Sequence, residues 1–289
     1  MEKEIKYIPF KKAYKDLIIY GKEKQFDNIE TLRWIIVKSL RLRREQFDSI
    51  YQVDEYSYDT MKKAIDRYAK GESLSKIFGF IEFCGNFFDV TDNVFDPRLS
   101  TECLVKAVVD KYKGKDIKVI DLCTGSGSVA VTLSLQLGIK VDGIDISPFA
   151  VETATLNNKK LGGQAQFFIM DLNENWDKYL TKKYDVIVSN PPYWNAEKIL
   201  ENVDVVKNNP IIGFDGGADG LYYIKNIIDN APKFLNPNGQ LYLECDPDQM
   251  DKIKSYLSDN FDSITEYKDY RDISRVLGAT LKSNRKYVN

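Results

Sequence analysis

A glycine-rich loop follows the first strong strand pattern of the chain and is the first candidate for chemistry. The loop reads Asp121-Leu122-Cys123-Thr124-Gly125-Ser126-Gly127-Ser128. Glycines at a strand-to-helix junction let the backbone turn tightly and let a ligand approach bare amides at the helix N-terminus. Gly125, Gly127 and Ala130 also satisfy the spacing of a dinucleotide fingerprint. The loop therefore predicts a nucleotide-type cofactor.

Acidic residues end the next two predicted strands. Asp145 closes the second strand, and Asp171-Leu172 follows the third. Because the carboxyl ends of parallel strands share one edge of a sheet, we expect both carboxylates beside Gly125. A carboxylate at the position of Asp145 accepts hydrogen bonds from a ribose diol, whether the ribose belongs to NAD or to S-adenosylmethionine. These residues leave both cofactors open.

The motif Asn190-Pro191-Pro192-Tyr193 follows the fourth predicted strand. Its prolines stiffen the backbone and fix Asn190 and Tyr193 at the strand end. The nitrogen of an amide or exocyclic amine is a poor nucleophile because its lone pair is delocalised. If Asn190 and the Pro191 carbonyl each accept a hydrogen bond from this nitrogen, its lone pair is directed at a sulfonium methyl group. Tyr193 would pack over the planar group. The motif favours methyl transfer and gives NAD no role, although alone it would be read as a proline-rich turn.

Composition excludes several other chemistries. The 289 residues include no histidine, so Ser-His-Asp catalysis and His-ligated metals are excluded, and we expect no metal. The four cysteines form no Cys-x-x-Cys pair and are expected to be reduced thiols of a cytoplasmic protein. A formal net charge of −2 disfavours a large nucleic-acid footprint. We see neither an apolar run of about 20 residues nor a signal peptide.

The elements that must position these residues follow from periodicity. From Lys115 onward, alternating strands and helices predict an α/β fold with a Rossmann-like, mostly parallel, seven-stranded sheet. The strand candidates are Ile117–Leu122, Lys140–Asp145, Ala165–Ile169, Tyr184–Ser189, Gln240–Glu244, Ile264–Tyr267 and Ser274–Thr280. Residues 1–75 have helical periodicity and predict a small N-terminal domain. Residues 76–100 predict a β-hairpin linker turning at Gly85-Asn86, and residues 101–289 form the predicted cofactor-binding catalytic domain.

With these motifs in place, the sequence closely resembles the family of peptide chain release factor N5-glutamine methyltransferases, which have the class I methyltransferase fold. Further segments that carry the resemblance are Phe83-Cys84-Gly85-Asn86-Phe87-Phe88, Pro97-Arg98, Thr101-Glu102, Asp145-Ile146-Ser147, Gly216-Gly217-Ala218-Asp219-Gly220-Leu221 and Arg271-Asp272. The resemblance implies that the N-terminal helical domain engages a release factor, the protein substrate of translation termination. It also implies that the Gly-Gly-Gln loop of that factor enters the cleft and is methylated with S-adenosylmethionine.

The resemblance also assigns the site residues. The implied catalytic residues are Asn190, Pro191, Pro192 and Tyr193. The implied cofactor-binding residues are Thr124, Gly125, Ser126, Gly127, Asp145, Ile146, Asp171, Leu172 and Asn190. The implied substrate-binding residues are the catalytic four together with Arg98, Thr101 and Glu102. We expect a monomer with no membrane association and no nucleic acid as direct substrate.

The chain departs from the family pattern at several positions, and two other classes of substrate are not excluded. The departures are Cys123 and Asp246 for Gly, Asn209-Pro210 for Glu-Pro, Leu99-Ser100 for a Pro-acidic pair, and Leu172 for an aromatic residue. Phe83-Cys84-Gly85 also resembles a sister family that methylates a ribosomal-protein glutamine, and enzymes that methylate adenine N6 share the Asn-Pro-Pro-Tyr motif. Thr101-Glu102 favours the release-factor family. The absence of a long insertion after Tyr193 disfavours duplex DNA, which requires base flipping.

One tripeptide of the chain copies the expected substrate. Gly162-Gly163-Gln164 follows a predicted helix that ends near Leu161 and precedes the third strand. A glycine that stops the helix is expected at this place, so the tripeptide predicts a C-cap, with self-methylation as the weaker alternative.

Overall fold

The computed structural model describes residues 5–283, and the chain divides into two compact units with the boundary between Ile81 and Glu82. The first unit contains helices and a short two-stranded ribbon. The second unit contains a seven-stranded sheet flanked by helices. Within residues 5–283, no helix has the length and apolar character needed to cross a membrane.

The helices of the first unit form where the periodicity predicts them. They are α1 (Phe10–Glu23), α2 (Ile29–Ser39), α3 (Glu55–Ala69) and α4 (Leu74–Phe78). Asn28 caps α2, because its Oδ1 accepts a hydrogen bond from the Thr31 amide over 3.0 Å. Gly71 follows the end of α3 with φ of +88°, a left-handed conformation that glycine adopts without strain.

Buried apolar side chains hold the helices of the first unit together. The apolar faces of α2 and α3 bury Leu32, Ile35, Ile36, Met61 and Ile65, and each such side chain contributes about 1.5–3 kcal/mol when removed from water. The ribbon of β1 (Tyr7–Pro9) and β2 (Gln52–Asp54) was not predicted. Strands of three residues are too short to show an alternating pattern.

The predicted β-hairpin consists of β3 (Phe80–Phe83) and β4 (Asn86–Asp89). Its turn lies one residue earlier than predicted, at Cys84 and Gly85, whose φ angles are +47° and +74°. A two-residue turn with positive φ at both positions matches the right-handed twist of the flanking strands. Gly85 adopts this conformation freely, whereas Cys84 is held there by a 2.6 Å hydrogen bond from its amide to Glu102 Oε1.

All seven predicted strands of the sheet are present, with ends that differ by a few residues. They are β5 (Val119–Leu122), β6 (Val141–Asp145), β7 (Gln166–Ile169), β8 (Tyr184–Ser189), β9 (Leu235–Glu244), β10 (Phe261–Lys268) and β11 (Ser274–Leu281). Their order in the sheet is β10-β11-β9-β8-β5-β6-β7. Strands β7, β6, β5, β8 and β9 run parallel to one another, and β11 pairs antiparallel with β9 on one side and with β10 on the other. The mostly parallel α/β fold is confirmed.

The helices of the second unit lie between the strands along the chain. They are α5 (Glu102–Tyr112), α6 (Ser128–Leu137), α7 (Pro148–Leu161), α8 (Ala196–Glu201), α9 (Val203–Val206), α10 (Tyr222–Phe234) and α11 (Met250–Leu257). Gly162 is the left-handed C-cap of α7, with φ of +77°. The predicted role of the Gly-Gly-Gln tripeptide as a helix stop is therefore confirmed.

The strand order creates a crevice beside the first strand of the sheet. The chain runs from β5 outward to β6 and β7 and then returns to β8 on the other side of β5. Such a reversal separates the connections at the carboxyl ends of the two central strands, which is where open α/β sheets bind ligands. Leu122 of β5 pairs with Ser189 of β8, so the glycine loop and the Asn190 motif leave the sheet side by side.

Candidate active site

A cleft of about 1010 Å³, counting space open to solvent, is lined by the loops that follow β5, β6, β7 and β8. The predicted site residues that line it are Thr101, Thr124, Gly125, Ser126, Asp145, Ile146, Asp171, Leu172, Asn190 and Pro192. The other predicted site residues are not part of the lining; they are Arg98, Glu102, Gly127, Pro191 and Tyr193.

The loop after β5 is fixed by hydrogen bonds from its first residues. The Thr124 hydroxyl donates to Asp121 Oδ2 over 2.6 Å, and the Thr124 amide donates to the Ile144 carbonyl over 2.9 Å. Burial raises the pKa of Asp121 to about 7, against the opposing effect of the hydrogen bond from Thr124. Gly127 supports the loop from behind, because a Cβ there would lie 2.8 Å from Ala154 Cβ and its φ is +79°.

Asp145 places a carboxylate beside this loop. Its Oδ2 accepts from the Gly125 amide over 2.8 Å, and its Oδ1 accepts from the Ser147 amide over 2.9 Å. Burial raises the pKa of Asp145, and the backbone hydrogen bonds from Ser147 and Gly125 oppose that rise. The carboxylate oxygens have further lone pairs, so Asp145 can also accept hydrogen bonds from hydroxyl groups of a ligand.

The rest of the cleft wall beside the loop after β5 and Asp145 is partly apolar and partly polar. Leu172 is buried after β7, and Tyr223 of α10 lines the cleft although sequence reasoning missed it. Asp171 Oδ1 accepts from the Asn173 amide over 2.9 Å. The buried Ser126 hydroxyl has no hydrogen-bond partner among residues 5–283. A buried hydroxyl beside a cleft that has no partner within the protein can form a hydrogen bond with a bound ligand.

Hydrogen bonds hold the motif after β8 in place on both sides. Ser189 donates from Oγ to the Leu122 carbonyl over 2.7 Å, which ties the end of β8 to β5. On the other side, the Trp194 amide donates to the Phe214 carbonyl and the Gly216 amide donates to the Trp194 carbonyl, each over 2.8 Å. Between these anchors, Asn190 donates from Nδ2 to Thr101 Oγ1 over 3.1 Å. Asn190 therefore keeps Oδ1 as an acceptor.

The glycines of the segment after Phe214 allow it to pack on the backbone of the motif. A Cβ on Gly216 would lie 2.8 Å from the Pro192 carbonyl oxygen, and a Cβ on Gly220 would lie 2.5 Å from the Tyr193 carbonyl oxygen. Gln249, another residue that sequence reasoning missed, donates from Nε2 to the Tyr193 carbonyl over 2.8 Å. The path of the motif is thus set by residues distant in sequence.

Two predicted substrate-binding residues have different surroundings. The Arg98 guanidinium lies over the ring of Phe95, a cleft residue, at 4.7 Å, and its buried Nη2 has no hydrogen-bond partner among residues 5–283. Burial lowers the pKa of Arg98, although nearby acidic groups oppose this. Glu102 instead supports the hairpin turn through the Cys84 amide. Arg98 thus has one buried donor without a partner among the described residues, and Glu102 has a structural partner.

Glu244 at the end of β9 was not predicted as a site residue. It is 0% exposed, and its Oε1 accepts from the Tyr193 hydroxyl over 3.3 Å. Burial raises the pKa of Glu244 to about 7, opposed by hydrogen bonds from Thr101 and Tyr193. The signal in the sequence is a charged residue ending the apolar run Leu241-Tyr242-Leu243, because a buried carboxylate is rare unless it has a function or a partner.

The departures from the family pattern have visible consequences. Cys123 has φ of +59°, which explains why glycine is the expected residue there. Asp246 forms an ion pair with Lys198, and Asn209 accepts from the Asp96 amide over 2.8 Å through its Oδ1. Within residues 5–283, no group of three or more Cys, Asp or Glu side chains is arranged to hold a metal ion.

Comparison with known proteins agrees with this architecture. The family model of the methyltransferase small domain matches residues 93–203. Among solved structures, a methyltransferase from Pyrococcus furiosus superposes with a TM-score of 0.52 and 14% identity, covering 74% of this chain and 95% of that one. At this level of identity the likeness shows the fold, which is that of class I methyltransferases.

Proteins related in sequence identify the family, whereas the solved structures show only the fold. The chain is 32% identical to the release factor glutamine methyltransferase of Geobacter sulfurreducens over 271 residues, which cover 91% of this chain and 93% of the relative. It is 31% identical over 290 residues to a bifunctional methyltransferase of Rickettsia felis, and the match spans only 54% of that longer protein. The match to the Geobacter sulfurreducens protein covers nearly the full length of both chains and shows common descent. The chain therefore belongs to the release factor glutamine methyltransferase family.

Proposed function

We propose that this protein transfers a methyl group from S-adenosylmethionine to the side-chain nitrogen of the glutamine in the Gly-Gly-Gln motif of a peptide chain release factor. The observation that carries the proposal is the placement of Asn190. Its Oδ1 remains an acceptor in the cleft that Asp145 and the loop after β5 also line. A site for a planar amide group thus adjoins a site for a nucleoside-type cofactor.

The residues present fit S-adenosylmethionine. Asp145 would accept the ribose hydroxyls, and the backbone amides of the loop from Thr124 to Gly127 would face the polar end of the cofactor, with Ser126 finding the partner it lacks. Leu172 supplies apolar surface for the adenine. When bound, the cofactor supplies an electrophilic methyl group on a sulfonium. Membership in a methyltransferase family decides against NAD.

The residues of the chain act mainly by positioning the glutamine amide of the substrate. Asn190 Oδ1 and the Pro191 carbonyl each accept one N–H bond of the glutamine amide, which holds the nitrogen with its lone pair directed at the methyl group. As the nitrogen gains positive charge, these two oxygens stabilise it, since they are fixed before the reaction begins. The amide proton becomes acidic only during transfer, so it can leave to water without a strong base. The absence of histidine is consistent with this route.

The proposal also covers the class of substrate, the oligomeric state of the protein and its location in the cell. The glutamine of an extended protein loop requires a cleft that is open on one side, as this one is. All the residues that line the cleft belong to the second unit of one chain, so we propose that a monomer is active. Release factors act on cytoplasmic ribosomes, and we place this protein in the cytoplasm with them.

The decisive experiment offers the purified protein labelled S-adenosylmethionine together with release factor, ribosomes and nucleic acid, followed by mass spectrometry. We expect label on the glutamine of the Gly-Gly-Gln motif and none on a Gln→Ala substrate. Label only on a ribosomal protein or only on adenine would replace the proposed substrate and leave the methyltransferase assignment in place. Calorimetry with S-adenosylmethionine and NAD tests the cofactor separately, and preferential binding of NAD would contradict it.

A further inference from the structure

A buried asparagine of α7 forms hydrogen bonds with the loop after β5 without being part of the cleft wall. Asn157 is 0% exposed and does not belong to the cleft lining. Its Nδ2 donates one hydrogen bond to the Ser126 carbonyl over 3.0 Å and another to the Asp89 carbonyl over 2.9 Å. Its Oδ1 accepts from the Asp89 amide over 2.8 Å. A single side chain thus joins the loop after β5 to the end of β4.

The partners of the Asn157 carboxamide allow it one orientation. A carboxamide has two N–H donors and one carbonyl oxygen, and here both donors and the oxygen are engaged. Rotation by half a turn would set Oδ1 against the carbonyl oxygens of Ser126 and Asp89, and it would set the NH₂ group against the Asp89 amide. Because the side chain is buried, water cannot replace bonds lost in this way. Asn157 is therefore held firmly and can in turn hold the Ser126 carbonyl.

The bond from Asn157 fixes the peptide unit between Ser126 and Gly127. The carbonyl of this unit accepts from Asn157, and its N–H, which belongs to Gly127, donates to the Thr124 carbonyl over 2.9 Å. Because a peptide unit is planar, bonds to its oxygen and to its nitrogen together fix its rotation. Ser126 lines the cleft, and its buried hydroxyl has no hydrogen-bond partner among residues 5–283. The bond from Asn157 thus sets the backbone of Ser126 at the wall of the cleft.

Two further residues of the segment from β6 to α7 contact the same loop. Asp145, at the end of β6, accepts from the Gly125 amide over 2.8 Å. Ala154 of α7 packs so closely that a Cβ on Gly127 would lie 2.8 Å from the Ala154 Cβ. Ala154 and Asn157 are three residues apart and therefore share one face of α7. Asn157 adds a hydrogen bond to a helix face that already packs on the loop.

We propose that Asn157 is a positioning residue for S-adenosylmethionine, which acts by holding the Ser126 carbonyl and thereby the shape of the loop that receives the cofactor. Because the other two bonds of Asn157 hold Asp89, the end of β4 belongs to the same support. The predicted hairpin linker is then also a part of the structure on which cofactor affinity depends. The inference requires this cofactor but no particular methyl acceptor, so a protein that methylates no release factor would refute the proposed substrate alone.

The next residue of α7 provides a matched control. Asn158 donates from Nδ2 to the Ala165 carbonyl over 3.1 Å and accepts from the Ala165 amide through Oδ1 over 3.0 Å. The two asparagines thus form the same kind of bonds to backbone groups from the same helix, and of the two it is Asn157 that reaches the loop after β5. A comparison of the two separates a role in cofactor binding from a contribution to stability.

The first test measures the affinity for S-adenosylhomocysteine by calorimetry, with thermal unfolding alongside. Leucine resembles asparagine in size and forms no hydrogen bonds, so Asn157→Leu and Asn158→Leu should both lower the Tm. Asn157→Leu should also raise the Kd by about tenfold, because the loop loses its support, whereas Asn158→Leu should leave the Kd within about twofold of wild type. An unchanged Kd in Asn157→Leu, or an equal rise in both variants, would overturn the inference.

The second test uses the wild-type protein and decides the question where Asn157→Leu does not fold. The Asp89 amide donates to Asn157, and the Ala165 amide donates to Asn158, so hydrogen exchange at these two amides follows the opening of the two kinds of bond. Saturation with S-adenosylhomocysteine should slow exchange of the Asp89 amide about tenfold more than exchange of the Ala165 amide, as measured by NMR. Equal slowing at both amides, or none at Asp89, would show that Asn157 does not couple the loop to β4 and would overturn the inference.

Discussion

Gln249 Nε2 donates a 2.8 Å hydrogen bond to the carbonyl oxygen of Tyr193, joining the segment that follows β9 to the motif that follows β8. Gln249 also accepts from the Asp246 amide through its Oε1, so the orientation of its side chain is fixed at both polar atoms. The Tyr193 carbonyl has no freedom to swing away while this bond exists. The backbone of the catalytic motif is therefore held from outside the loop to which it belongs.

Replacement of Gln249 with methionine tests this support. Methionine has a similar length but donates no hydrogen bond, so the Tyr193 carbonyl loses its partner at a cost of about 1 kcal/mol. We expect kcat to fall about tenfold, because small displacements of a positioning group are costly, while cofactor affinity stays within a few-fold. Gln136→Met is the matched control, since Gln136 is exposed on α6. Equal kcat values for both variants would argue against a role for Gln249.

The close packing of Gly216 against the Pro192 carbonyl makes a second prediction. A Cβ at position 216 requires the motif or its neighbour to move, because the contact of 2.8 Å is with backbone atoms. Gly216→Ala should lower kcat by at least about tenfold. Gly138→Ala is the control, because Gly138 has φ of +69° and nothing within 4 Å of the added Cβ, so it carries backbone strain without a clash. Kinetics and thermal unfolding of both variants separate loss of positioning from loss of stability.

The sequence predicted the placement of residues whose position depends on neighbours in the chain. Gly125, Asp145 and Asn190 stand at strand ends that periodicity locates, and parallel strands bring their ends together. Glu244 and Gln249 were missed because their roles depend on contacts with Tyr193, which lies 51 and 56 residues earlier in the chain. No local pattern encodes such a pairing. The hairpin turn was predicted one residue late because positive φ at Cys84 runs against the preference of a non-glycine residue.

Asn190 is the residue whose loss should damage turnover most. Alanine at this position removes an acceptor for the substrate amide, and removal of one such fixed group typically lowers kcat by about 10²–10³-fold. The affinity for S-adenosylhomocysteine, measured by calorimetry, should remain within a few-fold. Asn195→Ala is the control, since Asn195 caps α8 through the Lys198 amide and lies close in sequence. A near-normal kcat for Asn190→Ala would contradict the proposed chemistry.

Stability should depend on pH through Asp121. Burial raises its pKa to about 7 in the folded protein, against about 3.9 for an unfolded aspartate. The folded state therefore binds the proton more tightly, and the stabilisation from this group is complete below about pH 3.9 and lost as the pH rises through 7. Asp121→Asn should consequently gain stability relative to wild type between pH 5 and pH 8. Urea unfolding in a Trp34→Phe background reports on the second unit through Trp176 and Trp194, and a difference that does not change with pH would contradict this assignment.

The last prediction concerns the first unit, which we propose to be a docking module for the protein substrate. Large side chains near its ribbon are exposed, with Tyr51 at 87% and Tyr56 at 82%. Exposed tyrosines supply contact area at low entropic cost and are frequent at the energetic centres of protein interfaces. Combined substitution of Tyr51 and Tyr56 by serine should raise KM for an intact release factor by about tenfold, equivalent to about 1.4 kcal/mol. It should leave KM for a short Gly-Gly-Gln peptide unchanged, because such a peptide occupies only the cleft of the second unit. Tyr270→Ser, at a tyrosine of the second unit that is 71% exposed, is the control and should alter neither value. An equal rise in KM for peptide and intact protein would show that the tyrosines act on folding or on the cleft, and it would remove the docking role.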